Sequence, residues 1–276
     1  MVHAEPLGRA RETAALEYLA RSPYDHLFLS YLVIFDVARS SRDALYAAVD
    51  EHDTICGIMY FGRQVVLAAA ADDDATLDVF ATIAAEHSGE RMIVGPRDTV
   101  RNYWKRIRAR HTPPRLVRER QLVMKIDRAS LRPYPHTVTV RHARIDEWTV
   151  VADNSALMIA QELEYDPRRT SPEFTSNVRS MIDRGLWWVG ESFGRLCFFC
   201  NVGPWTPHSA QLQGIWTPPS MRGKHLATAS LAGICDRLLG DFPTLSLYVN
   251  DFNTRAIALY ERVGFTTVSE FQTMLF

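Results

Sequence analysis

TPPSMRGKHLATA, residues 217–229, follows the alternating stretch AQLQGIW (210–216) and runs into LATASLAGICDRLL (226–239), so a strand meets a helix through a short basic loop. Pro218 and Pro219 have no N–H to give a β-ladder and end the strand. The first N–H groups of the following helix have no intrahelical acceptor and point out of its end. Together with the positive end of the helix dipole they make an anion site. Gly223 lets the backbone approach a ligand closely, and Arg222 and Lys224 add countercharge. This chemistry suits a phosphate, and with two cations at one loop a polyphosphate.

Outward from the loop, the second half reads as a strand TVTVRHA (137–143), helices over 146–164 and 173–184, and strands WWVGES and RLCFFCNVG about a Phe193–Gly194 turn. Strand AQLQGIW, the helix at 226, strand LSLYV, helix TRAIALYERV and strand TTVSEFQTMLF follow. The first half has the same order. Helical spacing covers 9–20 and 25–38; strands ALYAAVDE, ICGIMYFG and QVVLAAA come next, then helix ATLDVFATIAAEH, strand RMIVGP, helix RDTVRNYWKRIRA and strand RLVRERQLVMKI. RASLRPYPHT (128–137), with its two prolines, divides the halves. The predicted fold is α/β of the α+β kind: two mixed sheets in tandem, residues 1–130 and 137–276, each with helices on both faces.

TPPSMRGKHLA followed by LYVNDFNTRAIALYERVGF (247–265) resembles the acyl-CoA-binding motif pair of the GNAT superfamily of N-acetyltransferases. Arg222 and Ala227 match the first and last positions of the loop motif; Asn253, Ala256, Tyr260, Gly264 and Phe265 match the second. The direct resemblance covers 137–276, and the whole chain resembles tandem acetyltransferases with a degenerate, GNAT-like first domain. It implies acetyl-CoA as co-substrate and an amine as acceptor. The phosphates would lie on Arg222, Gly223, Lys224, His225, Leu226 and Ala227. The pantetheine arm would lie beside Ile215, Trp216 and Thr217, with Asn253 bonded to it. One of those N–H groups would polarise the thioester carbonyl.

The same resemblance makes Tyr260 the candidate general acid for the leaving thiolate. For the base, Glu162 and Glu164 in IAQELEYDP and Glu191 in WWVGES are open, as is a chain of waters; Glu162 is the one paired with Tyr260 as catalytic. Structural readings stand beside these. Asn253 suits a helix N-cap, Tyr260 a core aromatic, Arg222 and Lys224 a solvated loop. Trp205 and Trp216 could wall an acceptor pocket or simply pack. One departure is clear: His225 replaces the motif's central glycine, which would cost on the order of 1 kcal/mol or more if the backbone needs positive φ.

The equivalent loop of the first half is AAAADDDATLDVF (68–80), where Asp72, Asp73 and Asp74 would repel a pyrophosphate and serve instead as helix caps. This half is expected to support and shape the cleft without binding CoA. A chain of 276 residues, 47% hydrophobic and 23% charged with net charge −1, offers no overall electrostatic case for nucleic acid or membrane. The absence of a signal-like or spanning apolar run reads as cytoplasmic. The nine Lys and Arg between 97 and 120, with Tyr103 and Trp104 among them, read as a solvated helix face rather than a nucleic-acid surface. Cys197 and Cys200, three apart in a strand, should face opposite ways and hold no metal, and no histidine spacing suggests one. A monomer and a homodimer are both open. The alternative to an acyltransferase is a weak or inactive fold serving as CoA sensor, scaffold or partner-binding module.

Overall fold

Strands contributed by the two halves interleave at the centre of one sheet. The computed structural model describes residues 1–35, 44–86 and 91–276. Its first half contains β1 (His3–Pro6), α1 (Glu12–Leu19), α2 (Leu27–Phe35), β2 (Leu45–Val49), β3 (Ile55–Phe61), β4 (Gln64–Ala69), α3 (Asp74–Glu86), β5 (Met92–Pro96), α4 (Arg97–Ile107) and β6 (Leu116–Asp127). The second contains β7 (Thr139–His142), α5 (Trp148–Leu163), α6 (Pro167–Thr170), α7 (Phe174–Asp183), β8 (Trp187–Ser192), β9 (Arg195–Thr206), β10 (Ser209–Trp216), α8 (Leu226–Leu238), β11 (Thr244–Asn250), α9 (Thr254–Val263) and β12 (Thr266–Leu275). The elements read from sequence are present; β1 and α6 are additional, and residues 36–38 and 87 of two predicted helices lie outside the described residues.

The order β1-β2-β3-β4-β5-β12-β6-β11-β10-β9-β8-β7 forms a single twelve-stranded sheet rather than two separate ones. Each half lays down five strands and then sends its last strand into the other. β6 pairs antiparallel with β11 (Met124 opposite Leu247) and with β12, while β12 also pairs with β5 (Thr273 opposite Val94). The exchange gives both long strands a partner on each edge and leaves no open edge at the junction. β4–β5 and β10–β11 are the parallel pairs, one in each half, which gives both halves the same mixed topology.

Alternation along the strands sends side chains to helices on both faces. Val66 and Ala68 of β4 pack with Leu19, Leu29 and Leu32 of α1 and α2, whereas Val65 and Leu67 pack with Leu77 and Phe80 of α3 and Tyr103 of α4. In the second half Leu245 and Leu247 meet Leu231 and Val263 of α8 and α9, and Val189 and Phe199 meet Val151 and Val178 of α5 and α7. Helix starts follow local chemistry: Asp73 Oδ1 accepts from Thr76 N–H at 3.0 Å and Asn253 Oδ1 from Ala256 N–H at 3.3 Å. The Phe193–Gly194 turn takes positive φ at both residues, 49° and 70°, matching the strand twist of a tight hairpin.

The alternation expected to separate Cys197 from Cys200 is broken. The β8–β9 register slips between Gly190 and Glu191, and both free thiols lie in the core cluster of α8. The extra residue of the bulge resets the side-chain phase. Among the described residues no group of His, Cys, Asp and Glu could hold a metal ion, and no helix is long and apolar enough to cross a membrane.

Candidate active site

The second parallel pair opens into a cleft. β10 and β11 pair only from Ser209 to Gln211 against Thr244 to Ser246, after which β10 bends away. The bend is a bulge: its register on β9 shifts between Gln213 and Trp216, and Gly214 takes φ 61°. A Cβ at Gly214 would stand 2.6 Å from Asn201 Nδ2, so both conformation and close approach require glycine.

A cavity of about 290 Å³ fills the opening between Leu212–Ile215 and Leu247–Asn250. Asn253, Ala256 and Tyr260 of α9 line it, as do Met158 and Glu162 of α5. Arg118 and Gln121 of β6, the strand exchanged from the first half, complete the wall. Arg118 falls in the basic stretch read as a solvated helix face, but it lies on β6 with its side chain largely buried, and nothing local flagged Gln121; only the exchange brings β6 beside β11. Asn250, at the end of β11, was also missed; the tripeptide YVN before the second motif is the signal that could have drawn attention to it.

Tyr260 is 7% exposed, and burial pushes its hydroxyl pKa well above the ordinary tyrosine value. It therefore keeps its proton at neutral pH, as a proton donor must. Among residues lining the cavity Glu162 is the one carboxylate, with Arg118 Nη2 at 3.7 Å from its Oε2. Glu164 ends α5 in the left-handed region at φ 60° and does not line the cavity. Glu191 is committed elsewhere: it accepts from Arg141 Nη2 at 2.8 Å, and Arg141 also bonds Glu147 at 2.7 Å.

The basic loop lies beyond the end of β10. Ile215 lines the cavity, while Trp216 is buried and donates Nε1–H to Asn154 Oδ1 of α5 at 3.3 Å. The Arg222 guanidinium sits 4.5 Å from the Trp216 ring and donates to the Thr217 carbonyl at 3.0 Å, so its charge is fixed against the loop itself. Gly223 takes φ 75°, and a Cβ there would meet nothing within 4 Å; Lys224 is exposed. His225 occupies the N-cap of α8 at φ 57°, ψ 11° without a side-chain cap bond, and Leu226 and Ala227 begin the helix. The backbone thus does require positive φ at the histidine, the costly case. Trp205 does not line the cavity and packs on Phe35, their ring centroids 4.3 Å apart.

A family model described as Acetyltransferase (GNAT) family matches residues 141–265, and one described as Domain of unknown function (DUF4081) matches 44–151. A mycothiol acetyltransferase of Acidimicrobium ferrooxidans is 36% identical over 96 residues, which cover 33% of this chain and 31% of that protein. An X-ray structure of a Drosophila protein aligns at TM-score 0.68 and 12% identity, covering 99% of this chain and 98% of that one. A tandem GNAT protein from the clavulanic acid biosynthesis pathway aligns at TM-score 0.57 and 13% identity, again over 99% and 98%. Residues 141–265 belong to the GNAT acetyltransferase family, and the chain has the fold of tandem GNAT proteins.

Its two GNAT-like units differ where the cleft would be. β4 pairs with β3 without a register shift and carries no bulge. The β4–β5 ladder also ends after three pairs, at Val66 opposite Val94, but a Cβ at Gly95 of β5 would stand 3.2 Å from the Leu67 carbonyl of β4, so the strands remain close one residue further. Thr99 Oγ1 and Asn102 Nδ2 of α4 donate to the Ala69 and Ala71 carbonyls, each at 2.8 Å, and occupy the end of β4. Asp73 caps α3 where the second unit presents its cationic loop. The basic stretch of the first unit is partly engaged: Arg97, Arg101, Arg106, Arg118 and Arg120, five of its nine cations, lie within ion-pair distance of carboxylates.

Proposed function

We propose that the second GNAT unit transfers an acetyl group from acetyl-CoA to a primary amine by direct attack. One observation carries the reading: the Gly214 bulge opens a cavity between β10 and β11 that has Tyr260 on one helix and Glu162 on another. Acetyl-CoA fits the residues present. The loop at Arg222–Ala227 offers unpaired helix N–H groups, an open Gly223 and the free charge of Lys224 to phosphates. The exposed edges of the split strands offer backbone partners to an amide-bearing arm.

Glu162 takes a proton from the acceptor ammonium, and the free amine then attacks the thioester carbonyl carbon. The C–S bond breaks as the leaving sulfur takes the Tyr260 proton, and the second proton lost from the nitrogen returns to Tyr260, leaving the amide and the CoA thiol. Asn253 caps α9 and holds that helix, with Tyr260, against the cavity. The first unit, with its β4–β5 opening closed, supports the cleft through β6.

Calorimetry tests this reading. One acetyl-CoA should bind per chain, weakened by Arg222→Glu, and release of free thiol should depend on an added amine. Two sites per chain, or binding indifferent to Arg222→Glu, would refute it.

A further inference from the structure

The cavity holds a cation for which attack by a simple amine has no use. Arg118 is its one lysine or arginine, and the side chain is 14% exposed. Among the described residues its ion-pair contact is Glu162 at 3.7 Å, longer than a hydrogen bond. A guanidinium carries five N–H donors in a planar fork, and no Arg118 nitrogen is among the buried atoms that lack a partner, so its unbonded donors remain open to solvent and to a ligand. Beside it in the lining, Asn250 is 9% exposed and its Oδ1 receives no hydrogen bond. Gln121, between them in the wall, is already engaged, its Oε1 accepting from Thr273 Oγ1 at 2.5 Å.

A lone ammonium would be repelled by Arg118. A carboxylate and a guanidinium 3.7 Å apart, both lining one small cavity, are instead complementary to a ligand bearing both charges on groups attached to one carbon. The planar fork matches a carboxylate in two-pronged fashion. We infer that the acceptor is a free amino acid or close analogue, its amine on Glu162 and Asn250 Oδ1 and its carboxylate on Arg118. This inference rests on the acyltransferase reading and narrows it. It excludes protein lysines and protein N-termini, whose neighbouring carboxyl is consumed in a peptide bond. Arg118 is then a specificity-determining residue delivered to the second unit by the strand exchange.

The probes are the twenty common free amino acids and their C-terminal carboxamides. Each is titrated into the full chain saturated with CoA, and each is offered with acetyl-CoA in a thiol-release assay. At least one free amino acid should bind, and its carboxamide about 10–100-fold more weakly, the usual range for a charge-assisted contact. Arg118→Gln should erase that ratio by weakening the acid and sparing the amide, and Arg118→Lys should restore part of it. Melting temperature and acetyl-CoA affinity report whether each variant is folded; should Arg118→Gln fail to fold, the intermediate ratio expected of Arg118→Lys provides the test. Absence of amino-acid binding, equal affinity for acid and amide, or equal loss of both in the folded variant overturns the proposal. Amino-acid binding that follows this pattern without any acetylated product would instead refute the acyltransferase reading and leave the recognition intact.

Discussion

Arg118 Nη2, on a strand from the first half of the chain, stands 3.7 Å from Glu162 Oε2, at the end of a helix from the second. The cavity is therefore a joint product of both units, although the cationic loop and the bulge belong to the second alone. The first unit thus supplies part of the wall.

Loss of the Tyr260 hydroxyl should slow chemistry and spare binding. Tyr260→Phe should lower kcat by ~10²–10⁴-fold with little change in the acetyl-CoA Kd, the range expected of a general acid. Burial raises the Tyr260 pKa above its ordinary value of 10.0, so the hydroxyl stays protonated throughout an assay at pH 7–9 and no alkaline loss there comes from it. The deficit should shrink near pH 8–9, where an ordinary thiol leaves readily as its anion. Wild-type turnover in Tyr260→Phe, with chemistry limiting, would remove the residue from the mechanism.

Glu162→Gln should lower kcat/KM at pH 7 by ~10²-fold or more while acetyl-CoA binds as before. An alkyl ammonium titrates near ~10.4, so raising the pH supplies free amine without a base and should narrow the gap. Paired pH–rate profiles of the two proteins measure this; a deficit independent of pH would assign Glu162 a structural role.

His225→Gly should stabilise the chain. Relief of the left-handed strain yields ~1–2 kcal/mol, part of it offset by the greater backbone entropy of glycine in the unfolded state. A rise in Tm of ~1–3 °C is expected, together with acetyl-CoA affinity equal to or tighter than wild type. His225→Ala, which keeps a Cβ at φ 57°, should leave Tm nearly unchanged. A lower Tm for the glycine variant would show that the imidazole stabilises the loop.

Glu147 provides a pH-dependent prediction away from the chemistry. Its side chain is 10% exposed, accepts from Arg141 Nη2 at 2.7 Å and from the Arg144 backbone N–H at 2.8 Å, and has its pKa lowered chiefly by the Arg141 hydrogen bond. A lowered folded value means that this stabilisation is complete above the unfolded pKa near 4.5 and is lost as pH falls through the folded value. Glu147→Gln should cost about 2–4 kcal/mol at pH 7 and clearly less at pH 3, read from urea midpoints. An equal cost at both pH values would rule out the ion pair as its source.

Sequence alone determined the local elements and the loop chemistry. Asn253 as a helix cap, Phe193–Gly194 as a tight turn, Asp73 at the head of α3 and the cations at residues 222 and 224 each depend on groups within a few residues, and propensity and spacing report such groups directly. The motif pair marked Tyr260, and the resemblance it carries implied Ile215; the fold brings both to one cavity. Tertiary structure decided the rest. Nothing local in RLVRERQLVMKI shows that it leaves its own half to pair with β11 and β12, since an amphipathic strand satisfies its ladder with any partner of matching register. The bulge at Gly214 is decided by the mismatch between β10 and β9, and the Cys197 phase by the slip of β9 on β8. Arg118 meets Glu162 only because those long-range pairings are in place, and pairing between distant strands is a property of the whole sheet that no short window of residues encodes.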